Sequence, residues 1–145
     1  MTTRRVSPSE AHDLVQRDGY VYVDVRSTGE FEQGHPTGSY NVPLAQPGPA
    51  GMTPNGEFLA VMQKLFAKDA KLVIGCAAGG RSARACAALE QAGFTNLVDQ
   101  RAGFDGAKDA FGRVSEPGWS RASLPVSSGP DAALGYAALR TKALG

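Results

Sequence analysis

Cys76-Ala77-Ala78-Gly79-Gly80-Arg81-Ser82 combines residue types and spacing that suit covalent chemistry. A thiol opens the run, four small residues follow, and a cation and a hydroxyl close it. Small residues let a backbone curl until consecutive N–H groups converge on one point, a nest that attracts anions. If a helix begins at the far end of the run, its free N–H groups and its dipole add to the same field. A cysteine at the start of such a loop aims its sulfur into a ring of donors, and donors with positive charge favour thiolate over thiol. No acidic residue occurs from Cys76 to Leu89, while Arg81 and Arg84 add positive charge. A buried structural cysteine is the plain alternative. Without its cysteine the same loop would serve as a phosphate cradle. A nucleophile inside it points instead to covalent catalysis.

The remaining candidates read as structural. Cys86 lies more than one turn into the expected helix and is carried away from the loop mouth into the core, with a resolving thiol as the rival role. His35, flanked by Gly34 and Gly38, fits a structural hydrogen bond in a turn better than a base. His12 is expected on a solvated helix face. The two histidines and two cysteines show no close pairing at ligand spacing, so no metal is expected, and the covalent chemistry read at Cys76 is expected to need no bound cofactor.

The loop needs a strand before it and a helix after it, and the sequence supplies both. Lys71-Leu72-Val73-Ile74-Gly75 is a buried strand, and residues 81–92 are an alanine-rich helix closed by Gly93. Upstream, Ser7-Pro8-Ser9-Glu10 is a capping box with proline at the first helical position, heading a helix through Ala11, Leu14 and Val15. Residues 20–25 form a strand with almost no polar face, as strands of parallel sheets do. Ser27 with Glu30 starts a second capping box. Residues 44–56, rich in proline and glycine, are expected as an extended surface loop. Phe58, Val61, Met62 and Leu65 recur at helical spacing, Asn96-Leu97-Val98 is a third strand, and residues 105–111 are expected as a short helix. This alternation implies an α/β fold with a central, mostly parallel sheet and helices on both faces. Residues 131–144 show helical spacing and form either a terminal helix or a crossing arm.

Composition narrows the class. The chain has 145 residues, net charge +1, 42% hydrophobic residues, 18 glycines and 9 prolines. The charge gives no electrostatic footprint for nucleic acid or an anionic membrane. The apolar runs are far too short to span a bilayer. Two cysteines cannot staple a fold. With no apolar leader after Arg4-Arg5, the expectation is a reducing, cytoplasmic setting.

The ordered set of short motifs resembles the single-domain rhodanese (thiosulfate sulfurtransferase) family, its plant and bacterial branch in particular. The resemblance is carried by Asp24-Val25-Arg26, Glu30-Phe31, Gly34-His35, Gly38, Asn41-Val42-Pro43, the 76–82 loop, Ala92-Gly93-Phe94 and Ala102-Gly103-Phe104. It covers residues 5–126 as one rhodanese-like domain and leaves 127–145 as a C-terminal tail. It implies that Cys76 attacks the sulfane sulfur of thiosulfate and becomes a persulfide, then passes the sulfur to cyanide or a thiol. The substrate-binding positions implied are Ala77, Ala78, Gly79, Gly80, Arg81 and Ser82. Asp24 and Arg26 are implied to support the loop from beneath, and Glu30 to pair with a loop arginine. The partners implied are a small anionic sulfur donor and a thiophilic acceptor, which a protein could also provide.

Two alternatives stand beside this reading. A non-catalytic rhodanese-type binding or regulatory module is disfavoured by the intact Cys76. A phosphatase or arsenate reductase is disfavoured by length, because Cys76 and Arg81 have four residues between them where those relatives have one more. The resemblance also shows a departure. Ala107 stands where the family usually has a tryptophan near the site mouth, and Trp119 is the expected replacement.

Overall fold

The computed structural model describes residues 3–145. In chain order the strands are β1 (Arg4–Val6), β2 (Val21–Asp24), β3 (His35–Pro36), β4 (Tyr40–Asn41), β5 (Ala45–Gly48), β6 (Gly51–Pro54), β7 (Lys71–Gly75), β8 (Asn96–Gln100), β9 (Gly106–Lys108), β10 (Val114–Pro117) and β11 (Val126–Ser127). The helices are α1 (Pro8–Arg17), α2 (Thr28–Gln33), α3 (Phe58–Leu65), α4 (Gly80–Gln91) and α5 (Tyr136–Leu144), with a 3₁₀ turn at Trp119–Arg121. None of these helices is long and apolar enough to cross a membrane.

Five strands form the central sheet in the order β1-β8-β7-β2-β4, and every pair in it is parallel. Parallel strands are covered on both faces, so both sets of alternating side chains must be apolar. Val23, Leu72, Ile74 and Leu97 point to one face and pack with Val61 and Met62 of α3, Ala85 and Leu89 of α4, and Leu139 of α5. Tyr22, Val73 and Val98 point to the other, with Val6, Ala11 of α1 and Trp119. The expected α/β layering is therefore what these residues build.

Both capping boxes form. Ser7 Oγ accepts from the Glu10 N–H at 3.1 Å while Glu10 returns a bond to the Ser7 N–H, and Ser27 and Glu30 repeat the arrangement on α2. Two expectations need correction. The 44–56 segment is a β5–β6 hairpin around Pro49 and Ala50, not an extended loop. Pro47 and Pro54 are tolerated because a two-stranded ribbon consists only of edges. The 105–111 segment is not a helix. The Asp109 carboxylate accepts the N–H groups of Phe111 and Arg113, which folds a turn there and pairs β9 with β10. The edge strand β1 had too little apolar length to be legible, with only Val6 of its three residues buried.

The C-terminal segment packs into the body. Leu139 is 2% exposed within the α3–α4 core, and Arg140 makes a two-pronged pair with Glu57 at 2.7 and 2.8 Å. Upstream of α5, the Leu134 carbonyl accepts the N–H of Asn41 on the outer strand β4 at 2.9 Å. Leu139→Ala should therefore destabilise the whole fold by about 2–5 kcal/mol, the range for emptying a core leucine site. Urea unfolding followed by circular dichroism checks this, and a change below about 0.5 kcal/mol would mean that α5 is peripheral.

Candidate active site

The chain leaves β2 outward toward β4, and leaves β7 in the opposite direction toward β8. Adjacent parallel strands whose connections diverge in this way open a crevice beyond their carboxyl ends, where ligands bind in α/β sheets. Here β2 ends in Asp24-Val25-Arg26 and β7 ends in Gly75-Cys76, held in register by the pairing of Asp24 with Gly75. The topology thus brings the two motifs together at one crevice.

Cys76 is 2% exposed, and its Sγ accepts the N–H groups of Gly79 at 3.1 Å and Ser82 at 3.2 Å. Both donors belong to the start of α4, where the first N–H groups have no partner within the helix. The loop can close on the sulfur because Gly79 takes φ +103°, the left-handed region that glycine enters without penalty. A methyl there would also stand 2.5 Å from the Arg101 carbonyl oxygen.

The loop's outer side is fixed by the segment after β8. Phe104 N–H donates to the Cys76 carbonyl at 2.7 Å, and Asp105 N–H donates to the Ala77 carbonyl at 2.8 Å. The N–H groups of Ala77 and Ala78 belong to those same trans peptide units, so they face away from this segment. The approach is close enough to require Gly103, since a Cβ there would lie 2.4 Å from the Ala77 oxygen.

The predicted supporting residues gather around this loop. Asp24 and Arg26 form a buried pair, with Arg26 Nη2 2.7 Å from one carboxylate oxygen and 2.6 Å from the Gly34 carbonyl. The Arg26 guanidinium lies 4.4 Å from the Phe104 ring centre, so it backs the segment that holds the loop carbonyls. Asn41 Nδ2 bonds the carbonyls of Asp24 and Arg26, both at 3.0 Å, and fixes their turn.

Glu30 and Arg81 form a two-pronged pair at 2.6 and 3.0 Å, joining α2 to the first turn of α4. The Arg81 guanidinium, helped by the Ser27 N–H, holds the Glu30 carboxyl down at about 2 against the opposing effect of burial. The absence of acids from 76 to 89 in sequence therefore does not leave Arg81 unmatched in space.

Other expectations resolve plainly. Cys86 is buried in the α4 core, and burial pushes its thiol up. His35 is buried, stacks on Phe31 with ring centres 3.6 Å apart, and uses Nδ1 on the Phe31 carbonyl. His12 is not freely solvated, because its ring meets Trp119 edge-on at 5.7 Å. Trp119 does not replace the missing aromatic at the mouth. It is buried against Tyr22 on the opposite face of the sheet and donates its indole N–H to the Pro125 carbonyl. Ala107 lies in β9, beside Glu116 of β10.

Sequence reasoning missed Asp99. Its carboxylate is 3% exposed, accepts the Ser82 hydroxyl at 2.7 Å and meets Arg5 Nε at 3.3 Å. The only local signal was a charged residue inside an otherwise buried strand.

Residues 7–110 match the family described as the rhodanese-like domain. The chain is 38% identical over 123 residues to thiosulfate sulfurtransferase 16, chloroplastic, of Arabidopsis thaliana, covering 85% of this chain and 92% of that protein. It is 40% identical over 94 residues to the rhodanese-like domain-containing protein 15, chloroplastic, of the same plant. That match covers 65% of this chain and about half (51%) of the relative. Among solved structures, Rv0390 from M. tuberculosis superposes with a TM-score of 0.72 at 28% identity, over 89% of this chain and all (100%) of that one. The expected cytoplasmic location is overturned by these comparisons, because both plant relatives are chloroplastic by name. Transit peptides are amphipathic and arginine-rich rather than apolar, so the missing apolar leader was no guide to compartment.

The Glu30–Arg81 pair makes the fold acid-sensitive in a defined window. A carboxyl lowered from 4.5 to about 2 contributes stability that is complete above 4.5 and is lost as pH falls through about 2. Unfolding free energy should fall more steeply from pH 4.5 to 2 in the wild type than in Glu30→Gln. Equal slopes in denaturant titrations across that range would show that the pair does not couple to folding.

Proposed function

The chain belongs to the rhodanese-like family, and on that premise we propose that it is a thiosulfate-type sulfurtransferase working through a persulfide on Cys76. The observation that carries the reading is the sulfur itself, held by two backbone N–H groups beyond the carboxyl end of β7, where the connections of the parallel sheet diverge. The same donors that favour a thiolate also suit a persulfide anion, so the loop serves both states of the cycle.

The steps balance without a cofactor. The Cys76 thiolate attacks the outer sulfur of thiosulfate, the sulfur–sulfur bond of the donor breaks, and sulfite leaves with the electron pair. The enzyme then carries Cys–S–S⁻. An acceptor such as cyanide or a thiolate attacks the terminal sulfur, and the electron pair of that bond returns to Cys76. Thiocyanate or an acceptor persulfide is released in this ping-pong scheme. Arg81, oriented by Glu30 at the first turn of α4, is the cation assigned to the donor's anionic oxygens. Asp24, Arg26 and Phe104 hold the loop from outside.

Cys76→Ser should reduce thiosulfate-dependent thiocyanate formation to background while leaving the unfolding transition in place, since both cysteines are free thiols. Retained sulfur transfer in Cys76→Ser would move the chemistry elsewhere. Absent transfer in the wild type, with turnover of p-nitrophenyl phosphate or arsenate, would favour the phosphatase or reductase reading. Inactivity on all three would favour a binding module.

Arg81→Ala should lower kcat/KM for thiosulfate about ten- to a hundredfold, mainly through KM, because a charge-assisted hydrogen bond is worth about 1.5–3 kcal/mol. An unchanged thiosulfate dependence would show that backbone donors suffice for the anion.

A further inference from the structure

Ser82 contributes its backbone N–H to the Cys76 sulfur but turns its side chain the other way. The Oγ lies 2.7 Å from Asp99 Oδ1 and 3.1 Å from the Gly79 carbonyl, and a hydroxyl has one proton to donate. The shorter, charge-assisted contact is the one to Asp99. Asp99 stands beside Ile74 in the sheet register, two residues before the cysteine, and beside Arg5 on its other side. A carboxylate 3% exposed is costly to keep unless it is paired and bonded. Arg5 supplies charge on one oxygen and Ser82 a hydrogen bond on the other.

We propose that Asp99 is a positioning residue for Cys76: by anchoring the Ser82 hydroxyl it fixes the first turn of α4 so that the Ser82 N–H stays aimed at the sulfur. The proposal rests on Cys76 being the reacting thiol. Arg5, whose side chain is 57% exposed, holds the far carboxylate oxygen at 3.3 Å. The short N-terminal strand β1 thereby acquires a role at the site, although Arg5 and Cys76 stand 71 residues apart along the chain. Nothing else ties the start of α4 to β8 through a side-chain hydrogen bond among the described residues.

The test reads thiol reactivity without relying on sulfur transfer. Iodoacetamide is neutral, so its rate reports on the state and presentation of the thiol rather than on substrate capture. Trypsin separates the two cysteines into peptides 72–81 and 85–101, and adducts on the first are counted by mass. Ser82→Ala should slow Cys76 alkylation at pH 7 by about tenfold, the scale of one hydrogen bond to a charged sulfur. Asp99→Leu should slow it similarly, with Arg5 released to solvent. The decisive result is the double variant. If Asp99 acts only through Ser82, adding Asp99→Leu to Ser82→Ala should slow the reaction by less than about twofold more. Asp99→Asn, which keeps an acceptor for the hydroxyl, should react within about threefold of the wild type.

Multiplying effects in the double variant would overturn the proposal, as would wild-type rates in Ser82→Ala. If Asp99→Leu does not fold, Ser82→Ala and Asp99→Asn decide alone: a slow alanine variant with a near-normal asparagine variant supports the relay, and any other pattern overturns it. A wild-type protein that transfers no sulfur yet shows this alkylation pattern would remove the sulfurtransferase reading and leave the positioning role standing.

Discussion

A peptide unit cannot turn its N–H inward without turning its carbonyl outward, and the loop around Cys76 is organised by that constraint. The N–H groups of Gly79 and Ser82 converge on one sulfur atom, and the carbonyls of Cys76 and Ala77, turned outward at the start of the loop, need donors of their own. The Ala102–Phe104 run exists in close contact for this purpose, with Phe104 and Asp105 donating to the carbonyls of Cys76 and Ala77. Gly103 is glycine because the backbones touch, and Arg26 packs on Phe104 because that ring must stay where its N–H is needed. The first two peptide units of the loop are thus pinned from outside by their carbonyls, and units further along it supply the sulfur's donors.

Charge around the crevice follows a related economy. Arg26 is matched by Asp24, Arg81 by Glu30 and Arg5 by Asp99. Each cation placed near the loop has a carboxylate brought from a different part of the sequence or from two residues away. The field that meets an incoming anion is consequently set in large part by backbone dipoles at the start of α4, which are fixed before any anion arrives. Paired side chains contribute shape and orientation as much as net charge. Arg84, without such a partner among the described residues, stays outside the crevice chemistry as a solvent-facing cation.

What could be read from the sequence was local. The 76–82 loop, the capping boxes at Ser7 and Ser27, and the buried strands announce themselves through neighbouring residues whose chemistry is complete within a few positions. What escaped depends on pairing at a distance. Strand β1 is three residues long, and only its place beside β8 makes it a strand. The hairpins carry prolines and glycines that read equally well as loop or turn until their partner strands are known. Asp99 looked like an ordinary charged residue because its value lies in Ser82 and Arg5, seventeen and ninety-four positions away. Trp119 was misread for the converse reason: an aromatic of the expected type sat in the expected region, but its indole N–H found the Pro125 carbonyl on the far side of the sheet.

The bond from Asn41 to the Leu134 carbonyl bears on the solution behaviour of the chain. Strand β4 is an outer strand, and its unpaired side would offer a ready template for another chain to add to. By occupying that donor, the segment ahead of α5 caps the lateral growth of the sheet. The C-terminal residues therefore cover that edge, and losing them would uncover an adhesive rim as well as empty the Leu139 site in the core.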